Sequence, residues 1–250
     1  MKKKLFKKIF LSIIIMLLFT LVSTTIFAFN SETHLYTTQQ GMSIISNTFE
    51  DEITEFYDEK SQADIFTYCV QPDFDENTGV FKWHFYSPAT QKNFIGEKTS
   101  ALTKFITHYN DAINNYRLNH VSRTWEELGR ALHFIEDINT PVHSNAQILI
   151  DATFQVPMHK SFENLCVKVQ EQHVANMSQN EFIYYKINSL EKIAKSSSYM
   201  ANDNYFAIFE YNIISKEQGA GNAIINAQKA VAGLLYKFYL DISYINKLKI

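Results

Sequence analysis

Apolar positions recur at helical spacing in several separate stretches of this 250-residue chain, and each stretch predicts a helix. One covers residues 31–57, with "THLYTTQQGMSIISNTFEDEITEFY" as its pattern, and another runs from about 98 to 118. The segment 60–100 is less regular, and "QPDFDENTG" marks a loop inside it. In "SRTWEELGRALHFIED", Thr124 and Glu127 have the spacing of a capping box, which predicts a helix start near residue 125. Pro141 ends that helix soon after Asp137, because proline disfavours the α conformation of the residue before it. A loop then leads to the amphipathic "VPMHKSFENLCVKVQEQ", and two later helices, 180–214 and 221–246, are separated by "GAG" at 219–221.

Composition narrows the class. Only seven Gly and four Pro interrupt the chain, which favours an all-α fold over many short strands joined by turns. With 46% hydrophobic residues there is enough apolar material for one sizeable core, and no linker, repeat or low-complexity tract divides it.

The first 28 residues read as a signal peptide: a basic "MKKKLFKK", an apolar run of 14 residues, and small residues before a cut after Ala28. That run is shorter than the ~20 residues that span a bilayer. The expected organisation is a secreted protein with one catalytic domain over 29–250. Losing the five leader lysines from 23 basic residues leaves 18 against 26 acidic ones, a formal charge of −8, which suits a nucleic-acid partner poorly. Cys69 and Cys166 allow at most one internal disulfide, and two free buried thiols fit equally well.

The candidate chemistry lies in the histidines. His133 and Asp137 share a helix face at i, i+4, His159 and Glu163 repeat that spacing, and His143 lies between the two pairs. A lone histidine on an apolar face is more often a hydrogen-bonded core residue than a ligand. Five of eight histidines, His34, His84, His133, His143 and His159, instead fall beside carboxylates or aromatics in the patterned parts of the chain. Facing helices that project inward such pairs build multinuclear metal sites.

The stretches "LGRALHFIEDINTPVHSNA", "HKSFE", "PDFD" followed by "HFYSP", "HLYTTQQGMSII" and "AQKAVAGLLYKF" together resemble the bacterial zinc-dependent phospholipases C, which include the catalytic domain of clostridial α-toxin. The resemblance implies a helical domain with three zinc ions in a cleft. Asp73, His84, His133 and Asp137 would hold one, with Asp137 bridging to a second. The second would take His34 with the amine and carbonyl of the mature N-terminal residue, Phe29, where the family normally has Trp. His143, His159 and Glu163 would hold the third. His108, His120 and His173 match no motif and are expected in solvent.

The implied reaction is hydrolysis of a phospholipid phosphodiester to diacylglycerol and a phosphorylated headgroup, with Asp73 both ligand and candidate general base. Glu32, Phe74 and Phe81 match the residues that surround choline, and a quaternary ammonium is attracted to aromatic faces and a carboxylate. The competing reading of Phe74 and Phe81 is as core aromatics. The expected partner is phospholipid at a membrane surface, met by a monomer without nucleic acid or an obligate protein partner. The single-strand-specific zinc nucleases resemble the same scaffold and are the main alternative. They usually end the ligand set with Asp where this chain has Glu163, although the five residues from Phe29 to His34 resemble the nuclease spacing. A helical binding protein with a degenerate site is the third reading.

Overall fold

The computed structural model describes residues 30–77, 81–145, 152–205 and 213–247, so the expected signal segment and Phe29 lie outside the described residues. Helix α1, Ser31–Thr48, begins where the Asn30 side chain accepts a hydrogen bond from the Glu32 amide. The single helix expected over 31–57 is two, because α2, Glu50–Phe56, follows a break at Phe49. There the ring stacks on Tyr236 at 4.5 Å and meets Phe182 edge-on, so tertiary packing overrides the local pattern.

Helix α3, Glu59–Tyr68, is regular where irregularity was expected, with Asp58 accepting from the Ser61 amide at 2.8 Å. The predicted loop at "QPDFDENTG" also contains a one-turn helix, α4, Pro72–Asp75, whose first position needs no amide hydrogen and so tolerates proline. A 3-10 turn, Lys82–His84, precedes α5, Ala101–Arg117, which opens on a Ser100–Thr103 capping box.

Helix α6, Val121–Ile138, starts four residues before the sequence expectation. Thr124 is no cap, since its hydroxyl donates to the His120 carbonyl from inside the first turn. Next come α7, Ala152–Val169, and a 3-10 turn, Gln170–Gln172. The helix expected over 180–214 is split into α8, Gln179–Ile187, and α9, Leu190–Asp203, because Ser178 and Ser189 each cap a fresh start.

Helix α10, Ile213–Lys247, runs straight through the predicted break at 219–221. Gly221 is there for another reason: a Cβ would lie 2.4 Å from the His173 ring. His173, expected in solvent, is therefore half-buried against α10, whereas His120 is exposed.

No strand occurs among the described residues, and none of their helices is long and apolar enough to cross a membrane. α6 packs against α3 and α5, while α10 lies against α1, α7 and α8. Between them sits a core that includes Phe105, Trp125, Leu128, Leu132, Leu235 and Phe238, where truncating one large side chain costs about 2–5 kcal/mol. A smaller cluster of Val142, Phe162, Cys166, Ile224 and Ala227 supports α7. Both cysteines are free and buried.

Candidate metal centre

The C-terminal half of α6 is buried on every side, from Ala131 through Ile138. Apolar neighbours cover most of that surface, and His133 and Asp137, one turn apart, point into a polar pocket beside them. Gly129 makes the approach possible. A Cβ at that position would fall 2.8 Å from the Ile65 carbonyl oxygen and 2.9 Å from Tyr68 Cβ, so only glycine lets the end of α3 lie against α6. The chain leaving α3 then brings the Cys69 carbonyl to 2.9 Å from His133 Nδ1, which donates to it. With Nδ1 protonated, Nε2 carries the lone pair that faces the pocket.

The "NTP" that follows α6 presents the next histidine. In this buried turn Asn139 Nδ2 donates to the Ile135 carbonyl at 2.8 Å, Thr140 Oγ1 to that of Glu136 at 3.0 Å, and Ser144 Oγ to that of Ile138 at 2.7 Å. Carbonyls at this buried helix end are thereby satisfied. His143 donates from Nδ1 to the His84 carbonyl, and the Tyr86 amide donates to the His143 carbonyl, each at 3.0 Å. Phe81, in the left-handed region at φ 54°, turns the chain into the Lys82–His84 turn that delivers His84.

Eight of the nine expected metal ligands lie in the described residues, and all eight are buried. They form three groups, each with ligand atoms within 4.8 Å of one another: His34, His133 and Asp137; Asp73, His84 and His133; His143, His159 and Glu163. Asp137 sits among four imidazoles, with oxygens 2.9 Å from His84 Nδ1, 3.3 Å from His133 Nε2, 3.3 Å from His143 Nδ1 and 3.7 Å from His34 Nε2. In the third group, His159 Nε2 is 2.8 Å from Glu163 and 2.9 Å from His143 Nε2.

This donor set fits divalent cations. Neither carboxylate oxygen of Asp73 has a hydrogen-bond partner of normal length among the described residues, nor has His84 Nε2, although all are buried. Burial pushes the Asp73 carboxyl up to about 6 and that of Glu163 to about 7. Asp137 would also rise on burial, but His133, His84 and His143 hold it well below the usual carboxylate range. Burial lowers His143 to about 4; it opposes His133 too, yet Asp137 and Asp73 raise that imidazole to about 9. So many desolvated donors around one pocket could share their lone pairs with a cation. Imidazole and carboxylate without thiolate suit zinc and its first-row neighbours.

A polar clamp outside the pocket fixes α4 and with it Asp73. Arg130 donates to Asp75 through both terminal nitrogens, at 2.8 and 2.6 Å, and to Glu76 at 2.8 Å. Glu76 also accepts from Lys104 at 2.6 Å and lies 3.1 Å from His108, whose Nδ1 is 2.6 Å from Glu127. His108 is thus largely buried in this clamp, which corrects the expectation that it is solvated. Burial alone would raise the Glu76 carboxyl, but His108 and Lys104 hold it well below the usual range. Burial likewise opposes the His108 charge, and the bonds to Glu127 and Glu76 outweigh it and raise its pKa.

Of the three expected headgroup residues, Glu32 is exposed on the first turn of α1, Phe74 is 59% exposed beside Asp73, and Phe81 is only 7% exposed, packed 5.6 Å from the His84 ring. Sequence reasoning overlooked Glu136, a fully buried acid between two ligand-bearing turns, which touches His34 Nδ1 and Thr38. Its place in "HFIED", on the apolar side of the predicted helix, was the available signal.

No protein-family model matches the chain. It is 25% identical to a phospholipase C of Clostridium perfringens, over 97% of this chain and 68% of that one. The α-toxin of Clostridium absonum superposes with a TM-score of 0.73 at 21% identity, covering 84% of this chain and 64% of the toxin. An α-toxin from an avian strain of Clostridium perfringens gives 0.72 at 22% identity, over 85% and 64%. The chain therefore spans just under two thirds of the solved toxin chains. The chain is thus similar along almost its whole length to bacterial enzymes named phospholipase C, and it has the fold of the α-toxins.

Proposed function

We propose that the protein is a secreted, zinc-dependent phospholipase C that hydrolyses the phosphodiester of phospholipids, phosphatidylcholine among them, at a membrane surface and as a monomer. The observation that carries this reading is the convergence of eight buried imidazole and carboxylate donors into three groups, two of which share His133. Similarity to phospholipases C along the chain supports the substrate class.

In this reading Asp73, His84, His133 and Asp137 would hold one zinc, His34 and Asp137 a second together with the amine and carbonyl of Phe29, and His143, His159 and Glu163 the third. Bound zinc supplies Lewis acidity, lowering the pKa of water and stabilising the attacking and leaving oxygens at phosphorus. Asp73 accepts the proton from the attacking water as its oxygen bonds to phosphorus. The bond from phosphorus to the diacylglycerol oxygen breaks, that oxygen takes up a proton from solvent, and Asp73 returns its own proton to solvent. Glu32 and the exposed Phe74 lie beside the headgroup and favour a quaternary ammonium, while Phe81, expected there too, is buried against the His84 ring and backs the site.

The test is zinc analysis of desalted mature protein, followed by rates on phosphatidylcholine, sphingomyelin and single-stranded DNA. About three zinc ions per chain and release of diacylglycerol are expected. Absence of zinc would sink the reading, and faster cleavage of DNA than of either lipid would replace it with the nuclease.

A further inference from the structure

The ligand histidines are not all oriented in the same way. His133 and His143 each donate from Nδ1 to a main-chain carbonyl, of Cys69 and of His84. At His34 a side chain takes that place: Nδ1 lies 2.5 Å from Glu136 Oε2. The other oxygen, Oε1, accepts from Thr38 Oγ1 at 2.8 Å. Glu136 is fully buried, and no Lys or Arg pairs with it among the described residues. An isolated buried acid is costly unless its hydrogen bonds are made, and here α1 supplies both of them, from His34 and from Thr38 one turn later.

The helix geometry explains the division of labour between neighbours. Glu136 and Asp137 are adjacent on α6 and so project about 100° apart. Asp137 faces His34 Nε2 at 3.7 Å, and Glu136 reaches round to Nδ1 on the other side of the same ring. Stacking of the His34 ring on His133 at 4.0 Å leaves it little freedom to turn.

We infer that Glu136 is a positioning residue for His34, holding its Nδ1–H tautomer so that Nε2 is presented beside Asp137 as a metal ligand of raised basicity. This rests on the proposed metal reading. It adds that the site shared by His34 and Asp137 has a side-chain carboxyl group just outside its ligands, in the place where His133 and His143 have main-chain carbonyls. A carboxylate bonded to the distal nitrogen strengthens a ligating imidazole, and losing it typically weakens metal affinity by about 10- to 100-fold.

The experiment compares wild-type mature protein with Glu136→Gln, Glu136→Ala and Thr38→Val. Zinc affinities are read by competition with a chromophoric chelator, and the His34 tautomer by 15N shifts in the metal-free and zinc-loaded states. In Glu136→Ala one of three zinc ions should bind about 10- to 100-fold more weakly, the other two should be unchanged, and the Nδ1–H tautomer should lose its dominance. Glu136→Gln, whose amide oxygen still accepts but carries no charge, should fall between, and Thr38→Val should have a smaller effect.

Unchanged affinity at all three sites would overturn the inference, as would parallel weakening of all three in step with melting temperature, the signature of a merely structural link between α1 and α6. If Glu136→Ala fails to fold, Glu136→Gln carries the same test. A wild-type protein that binds no zinc yet keeps the Nδ1–H tautomer only while Glu136 is present would refute the metal reading and leave the positioning role standing.

Discussion

His133 Nδ1 donates to the carbonyl of Cys69 at 2.9 Å, across 64 residues of sequence. This bond joins the two arms of the centre, the ligand-bearing α6 and the segment that continues to Asp73, and it exists only because Gly129 lets α3 close on α6. Gly129→Ala is therefore expected to destabilise the protein by about 1–3 kcal/mol, as overpacking does. It should also weaken zinc binding at the Asp73 group. Thermal melts with zinc titration check both, and a variant that melts and binds like wild type would show that the two helices can separate without consequence.

Asp137 stands at the middle of four imidazoles. Replacing it by Asn keeps the shape but removes the charge they share. Activity should drop by more than about 100-fold, with at least one zinc lost. Stopped assays and elemental analysis decide this, and near-normal turnover would mean that Asp137 is structural.

Chelation offers a third measurement. A cation that binds only the folded state stabilises it in proportion to the logarithm of its concentration over Kd, about 2.7 kcal/mol at a hundredfold excess. The melting temperature should fall on treatment with a chelator and recover with zinc. A melting temperature indifferent to both would contradict the buried donor cluster as a metal centre.

Stability should also depend on pH through the clamp outside the pocket. Glu76 has a depressed pKa, so its contribution is present above the ordinary glutamate value and is lost as pH falls through the lower folded value. His108 is raised, so its contribution is full below the ordinary histidine value and is lost as pH rises through the higher folded one. Both operate between roughly pH 4.5 and 6.5. The melting-temperature gap between wild type and His108→Gln should be widest there and narrow at higher pH. A gap that grows with pH would reverse the assignment of charge.

Phe74 and Phe81 should separate under mutation. Phe81 is buried at a strained turn beside His84, so Phe81→Ala is expected to lower stability, up to the roughly 3–5 kcal/mol of a core phenylalanine, and to disturb every substrate alike. Phe74 is exposed, so Phe74→Ala should leave the melting temperature within about 0.5 kcal/mol of wild type. Its effect should fall mainly on choline lipids. Equal losses on choline, serine and glycerol headgroups would remove Phe74 from the headgroup site.

The local pattern was sufficient for the helical class, for the pairs His133/Asp137 and His159/Glu163, and for the stop at Pro141, because each depends on residues within one or two turns of one another. It misjudged boundaries wherever a distant partner decides them. Phe49 leaves its helix to stack on Tyr236, Gly221 admits His173 rather than ending a helix, and Ser189 restarts one that periodicity would continue. His108 looked like a surface histidine because its partners, Glu76 and Glu127, come from other elements. Glu136 escaped notice for the same reason, since a buried acid on α6 acquires meaning only when α1 lays His34 and Thr38 against it. The sequence by itself determined which side chains of one helix face together. Only the tertiary structure decided which helices share a pocket, because hydrogen bonds and close approaches between remote segments leave no period in the chain.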